Sequence, residues 1–354
     1  MKLADEHTPP TPFAPARRHL GATALASGAL IAAAALAATG CSSGHGSTDS
    51  LALSAAQGPA GLSSTVAGSY QVLKLNDARD ETFNQLLGIN NDGVIVGYFG
   101  SGAARHPNKG YALIPPFAQR SFLNENFPRA AQTQVTGLND DGVTVGFFST
   151  QNTASLANNN FGFYEENGRF HEVNFSIGDA ASPPVDQLLG VNDSDVAVGF
   201  FTNSAGDNRG YEYNIRTHRF SRVLIPGQRG LGPSLTAAAI NSHGDVAGFY
   251  NKTSAQVDAF LKLGSGRFIT LAYPKATATQ AFGVNDSDEV VGTYTTGTGN
   301  AAVTHGFTWW DGKYTSVNIS GASSTAINGV NDEGDLVGFY TDAKGNTDGL
   351  LALP

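Results

Sequence analysis

One phrase returns six times in this chain: a small residue, an aliphatic residue, Asn, a polar turn, a β-branched run, Gly and then usually two aromatics. The copies are GINNDGVIVGYF (88–99), GLNDDGVTVGFF (137–148), GVNDSDVAVGFF (190–201), AINSHGDVAGFY (239–250), GVNDSDEVVGTY (283–294) and GVNDEGDLVGFY (329–340). They open 49, 53, 49, 44 and 46 residues apart. A period of that size marks an array in which one supersecondary unit is copied and stacked, because a single unit cannot bury its own apolar face.

Within each copy the apolar residues alternate with period two, and Val, Ile, Thr, Phe and Tyr dominate, so the segments read as strands. With 43 glycines in the chain, helix is disfavoured throughout the repeats. The Asn-polar-polar-Gly core reads as a hairpin turn, with Gly93, Gly142, Gly244 and Gly334 in the slot that takes a positive φ. Asp195 and Asp288 fill that slot in the third and fifth copies, and Asp tolerates it better than most residues.

A third strand follows each copy: KGYALI, FGFYEE, RGYEYN, DAFLKL, HGFTWW and DGLLAL. A fourth follows five of them, as RSFLNEN, RFHEVNF, RFSRVLI, RFITLAY and KYTSVNI. The sixth copy has none, but SYQVLKLN (69–76) carries that strand's pattern and precedes the first copy. A ring of four-stranded units that closes in this way leaves no long exposed sheet edge. The expected fold is therefore all-β: a six-bladed β-propeller over 69–354, closed by the N-terminal strand as the outer strand of the last blade. An open β-solenoid is the rival, although 44–53 residues is long for one coil of it.

These units resemble the bacterial extracellular HAF repeats, in which a Gly-Ile-Asn…Gly-x-Val-Val-Gly stretch precedes a His-Ala-Phe tripeptide. The resemblance spans nearly all of 69–354, and the hairpin motif is present in all six copies. The tripeptide is degenerate, reading KGY, FGF, RGY, DAF, HGF and DGL, and His305 alone keeps the His. The resemblance implies an exported β-repeat domain and names no reaction.

The N-terminus suits export. Residues 1–40 comprise a polar region carrying Arg17 and Arg18, an uncharged Ala/Leu/Gly run over 20–36, and Ala38-Thr39-Gly40 before Cys41. This resembles a bacterial lipoprotein signal, with a twin-arginine character in Arg17-Arg18. An uncleaved signal anchor is the alternative. Cys41 is the chain's one cysteine, so the folded part has no disulfide and no thiolate metal site. Lipidation of Cys41 would anchor the protein outside the cell membrane, and the Gly/Ser/Ala-rich stretch 41–68 would serve as a flexible tether.

The formal charge is −9, and the signal is net positive, so the exported part is more acidic still. That balance argues against nucleic acid and against contact with anionic lipid other than through the anchor. The aspartates of the turns lack the alternating spacing and terminal Glu of a calcium loop. The histidines lack metal-ligand spacing, so no metal or cofactor is expected. The aromatic pairs ending the second strands suit packing between units, with sugar stacking as the other use. Trp309-Trp310 stands apart, in a third strand where no other copy matches it.

The expected role is a non-catalytic binding or scaffold module of the cell envelope, for a protein or an anionic glycan. The alternative is an envelope glycan hydrolase or lyase with its acid/base groups in the central funnel. A ligand site is expected on the face of the variable loops, those from second to third strand and from fourth strand to the next unit. Its candidates are Arg105, His106, Lys109, Asp207, Arg209, Lys252 and His305.

Overall fold

The computed structural model describes residues 70–354 except 104, 153–158, 176–178, 229 and 231. The signal, Cys41 and the tether lie outside the described residues. Those described are all-β, with two short 3₁₀ turns, Gln119–Ser121 and Gly299–Ala301, and no α-helix.

Each repeat builds an antiparallel meander of four strands. The first unit runs Asn84–Ile89, Ile95–Phe99, Lys109–Leu113 and Phe122–Asn124. The second runs Gln132–Leu138, Thr144–Ser149, Phe161–Glu166 and Arg169–Val173. The third runs Asp186–Val191, Val196–Thr202, Asn208–Asn214 and Arg219–Arg222. The fourth (Leu235–Ile240, Val246–Thr253, Gln256–Lys262, Phe268–Leu271) and fifth (Ala278–Val284, Val290–Thr296, Val303–Trp310, Lys313–Val317) are joined into one eight-stranded sheet. A lone parallel pair, Val257 with Ala278, makes that join.

The sixth unit consists of Ser324–Val330, Leu336–Thr341 and Thr347–Leu353, and its outer strand is the N-terminal Gln71–Lys74. Val72 pairs with Ala352 and Leu73 with Leu351. The two ends of the described chain are thus held in one sheet.

The repeated phrase acquires a physical meaning position by position. All six first strands carry a bulge that ends on a small residue two positions before the motif Asn, as at Leu86/Gly88 and Val135/Gly137. First strands of neighbouring units touch there: a Cβ on Gly137 would stand 2.7 Å from the Leu189 carbonyl oxygen. Small residues at that position let the strands converge. The turn slot has a left-handed φ in every copy, from +55° at Asp195 to +83° at Gly142.

The motif Asn does more than turn the chain. In the second unit Asn139 Oδ1 accepts the Val143 N–H at 2.8 Å, which closes the turn, while its Nδ2 donates to the Asn192 carbonyl of the next unit at 3.1 Å. The same bond runs Asn90 to Asn139, Asn192 to Asn241, Asn241 to Asn285, Asn285 to Asn331, and Asn331 back to Asn90. The six units are linked in a closed circuit by side-chain amides, not by a continuous sheet.

The core lies in the seams between units. Val145 and Tyr164 of the second unit pack with Leu188 and Tyr211 of the third, and Val96 of the first with Val135 and Phe163 of the second. The paired aromatics mostly fill these seams: Phe147, Phe148, Phe200 and Phe201 are buried, and Phe148 stacks on Phe127.

Candidate functional site

Antiparallel order places the Asn turns and the third-to-fourth turns at one end of every unit, and the variable loops at the other. At the variable end the candidates are spread over four units. His106 Nδ1 is 3.0 Å from Asp80 Oδ2, and Lys109 Nζ donates to the Ala131 carbonyl at 3.1 Å. Arg209 pairs with Asp207 at 2.8 Å and also donates to the Gly232 and Pro233 carbonyls. Lys252 pairs with the buried Asp258 at 2.9 Å. His305 lies against Tyr294 and is hydrogen-bonded to Thr296 and Asn318. Arg105 is exposed. Of the seven, the structure brings together Asp207 and Arg209.

At the turn end, a second set of bonds runs one residue further along the chain than the first. The Asn91 N–H donates to Asp140 Oδ1 at 2.8 Å, Asp140 to Asp193, Ser242 to Asp286, Asp286 to Asp332, and Asp332 back to Asn91 Oδ1. At the seam between the third and fourth units the direction reverses, and Ser242 Oγ donates to Asp193 Oδ2. Together the motif positions ring a depression of about 70 Å³. Among the described residues no group of three or more His, Cys, Asp or Glu stands close enough to hold a metal ion.

A larger cleft of about 520 Å³ lies between the second and third units, with Asp141, Glu165, Glu166, Asp195 and Arg216 on its walls. Arg216 is ion-paired to Asp195. Glu165 is 8% exposed and accepts the Gly168 N–H of its own hairpin turn. Its carboxyl is also hydrogen-bonded to that of Glu125, on the first unit, which takes the Thr144 hydroxyl at 3.0 Å. Burial, and then the Glu165 charge beside it, push the Glu125 carboxyl up to about 7.

Glu125 and Glu165 thus meet across the seam between the first and second units, each already engaged by a donor of the protein. Asp186 is likewise pushed up to about 7 by burial, but it is tied to the Tyr211 hydroxyl and the Phe175 N–H. Its role is to hold a loop.

The fifth unit carries the feature that packing does not explain. Trp309 is buried in the seam, whereas Trp310 is 60% exposed, the most exposed of the large apolar side chains described. Its indole Nε1–H donates to the Ser287 carbonyl at 3.1 Å, which fixes the ring's orientation. Trp310 pairs across the hairpin with Lys313, and one step beyond the pair Val290–Trp309 it faces Glu289. Opposite residues of an antiparallel pair project to the same side, so Glu289, Trp310 and Lys313 form a row across three strands.

The alignment of copies already marks one of these sites. Glu165 occupies a column that otherwise reads Leu113, Tyr213, Lys262, Trp309 and Ala352, and Glu289 one that reads Val94, Val143, Val196, Asp245 and Asp335. A carboxylate in a mostly apolar column is the sequence signal at Glu165; the Glu289 column holds acids in three of six copies and gives none. That Glu125 meets Glu165 has no such signal, because the two belong to different repeats.

No family model matches the chain, and no curated protein matches it. Solved structures do, weakly. The chain is 10% identical to the protein AofleA of Arthrobotrys oligospora at a TM-score of 0.47, covering 79% of this chain and 84% of that one. It is 12% identical to an ulvan lyase, a polysaccharide lyase, at a TM-score of 0.42, covering 76% and 78%. A prolyl endopeptidase matches at 12% identity and a TM-score of 0.43 over 77% of this chain, which spans 43% of that enzyme's length.

Proposed function

We propose that the protein is a lipid-anchored, six-bladed β-propeller of the HAF-repeat kind that binds glycan at the cell envelope without acting on it. The six linked units are the blades, and Cys41 carries the anchor beyond the tether 41–68. The observation that carries the binding role is Trp310. An exposed indole, pinned by its own N–H and flanked by charged groups, is a ready platform for the apolar face of a sugar ring. A non-catalytic role is supported by the ionisable groups described above, which are engaged in contacts within or between units and do not converge as an acid, a base and a nucleophile.

The test is retention of the protein, from residue 69 onward, on columns of insoluble polysaccharides, with reducing-end release measured in parallel. Retention without release is expected. Release of sugar ends would establish the hydrolase alternative, unsaturated ends the lyase, and absence of retention on every polysaccharide would end the glycan reading.

A further inference from the structure

The seam between the fifth and sixth units gathers four polar groups around the exposed indole. Val291, two residues on from Glu289, is buried with Ile327, Leu336 and Leu350 of the sixth unit. Side chains two apart on a strand share a face, so Glu289, Trp310 and Lys313 face the sixth unit. Thr308, on the same face, hydrogen-bonds the Glu289 carboxyl. Tyr70 enters from the other side of the seam: it precedes the N-terminal strand, packs partly on that same apolar cluster and feels the Glu289 charge.

We infer that this seam is a saccharide subsite for a neutral, β-linked glucan, with Trp310 as the stacking platform, Glu289 as hydroxyl acceptor, and Tyr70 and Lys313 as hydroxyl partners on either side. This inference rests on the glycan-binding reading and deepens it. The sugar class follows from shape and charge. In β-glucopyranose every ring substituent is equatorial, so both faces present axial C–H groups that lie flat on an indole. The equatorial hydroxyls then radiate in the ring plane, towards a row that holds an acceptor on one side of the platform and an ammonium donor on the other.

Charge selects against the acidic sugars. Glu289 is half-buried, and burial together with the Thr308 hydrogen bond governs its carboxyl, with burial winning and raising it. A uronate brought against it would add a second carboxylate to a chain already at −9. A neutral glucan meets no such penalty, and two adjacent hydroxyls match the two oxygens of one carboxylate.

The chain's two tryptophans make the test direct. Trp309 is 9% exposed, so changes in solvent-sensitive emission report on Trp310. The folded protein is titrated with cellohexaose, and with maltohexaose and an oligogalacturonate of the same length as comparisons. A saturable blue shift with cellohexaose is expected, and none with oligogalacturonate. Trp310→Ala, at an exposed position, should keep the unfolding temperature and lose retention on cellulose. Glu289→Gln and Tyr70→Phe should each weaken cellohexaose binding by about tenfold. Unchanged retention of the Trp310→Ala protein would overturn this subsite while leaving glycan binding standing. Absence of any emission change with cellohexaose, in a protein that other polysaccharides retain, would overturn the glucan assignment. Failure of every polysaccharide to retain the protein would remove both readings.

Discussion

Replacing Glu125 with Gln should stabilise the protein in mild alkali and do almost nothing in mild acid. In the folded chain the Glu125 carboxyl is raised from 4.5 to about 7, chiefly by burial and then by the adjoining Glu165. A group whose folded pKa is raised favours the fold below its unfolded pKa, and that contribution is lost as the pH rises through the folded value. Wild-type stability should therefore fall between about pH 4.5 and a little above 7, as the half-buried Glu125 carboxyl loses its proton beside Glu165. The full shift corresponds to about 3.4 kcal/mol. Part of the Glu125 carboxyl is open to water, which screens the repulsion, so ~1.5 kcal/mol is the expected loss.

Gln keeps an oxygen for the Thr144 hydroxyl and has an N–H for Glu165, and it does not titrate. The assay is thermal or urea unfolding of both proteins from pH 4.5 to 8.5. The Glu125→Gln protein should gain roughly 3–6 °C over wild type at pH 8.5 and match it within a degree or so at pH 4.5. Parallel curves at every pH would refute the raised Glu125 carboxyl. A variant less stable than wild type at pH 8.5 would show that the carboxylate form is the one the seam was built to hold.

Three further outcomes are expected. Asn139→Ala removes the bonds to the Asn192 carbonyl and the Val143 N–H and leaves both groups buried, which should cost about 2–5 kcal/mol in urea unfolding; a loss under ~1 kcal/mol would mean the amide circuit is dispensable. A protein starting at residue 81 lacks the strand Gln71–Lys74 that covers the last sheet and should show no cooperative unfolding, whereas one starting at residue 69 should unfold cooperatively; equal behaviour would disprove closure by that strand. Cys41→Ser should leave the signal unprocessed or release the protein from the membrane fraction, and unchanged fractionation with unchanged mass would favour an uncleaved signal anchor.

Much of the fold was legible because its determinants are local and repeated. Period-two alternation specified strands, and the turn slot demanded Gly or Asp, which the backbone confirms at Asp195 and Asp288 with φ of +55° and +60°. The missing fourth strand after the last copy pointed to its partner before the first, and the pairing of Val72 with Ala352 bears that out. The join of the fourth and fifth units into one sheet through Val257 and Ala278 was not legible, since a single backbone pair leaves no pattern in side chains.

What the sequence by itself determined was the unit and its number of copies, because hairpin register and turn conformation depend on residues a few positions apart. What only the tertiary structure decided was which side chains meet across a seam. The motif Asn read as turn chemistry alone, yet its Nδ2 reaches a carbonyl 44–53 residues away in five cases and 241 in the sixth. The basic candidates at the variable loops looked like a shared surface, but most lie against partners in their own units, Lys252 on the buried Asp258 among them. Whether a charge is available for a ligand depends on what has already desolvated or neutralised it, and that is settled by side-chain contacts within hairpins and across seams, which the alternation of the strands does not encode.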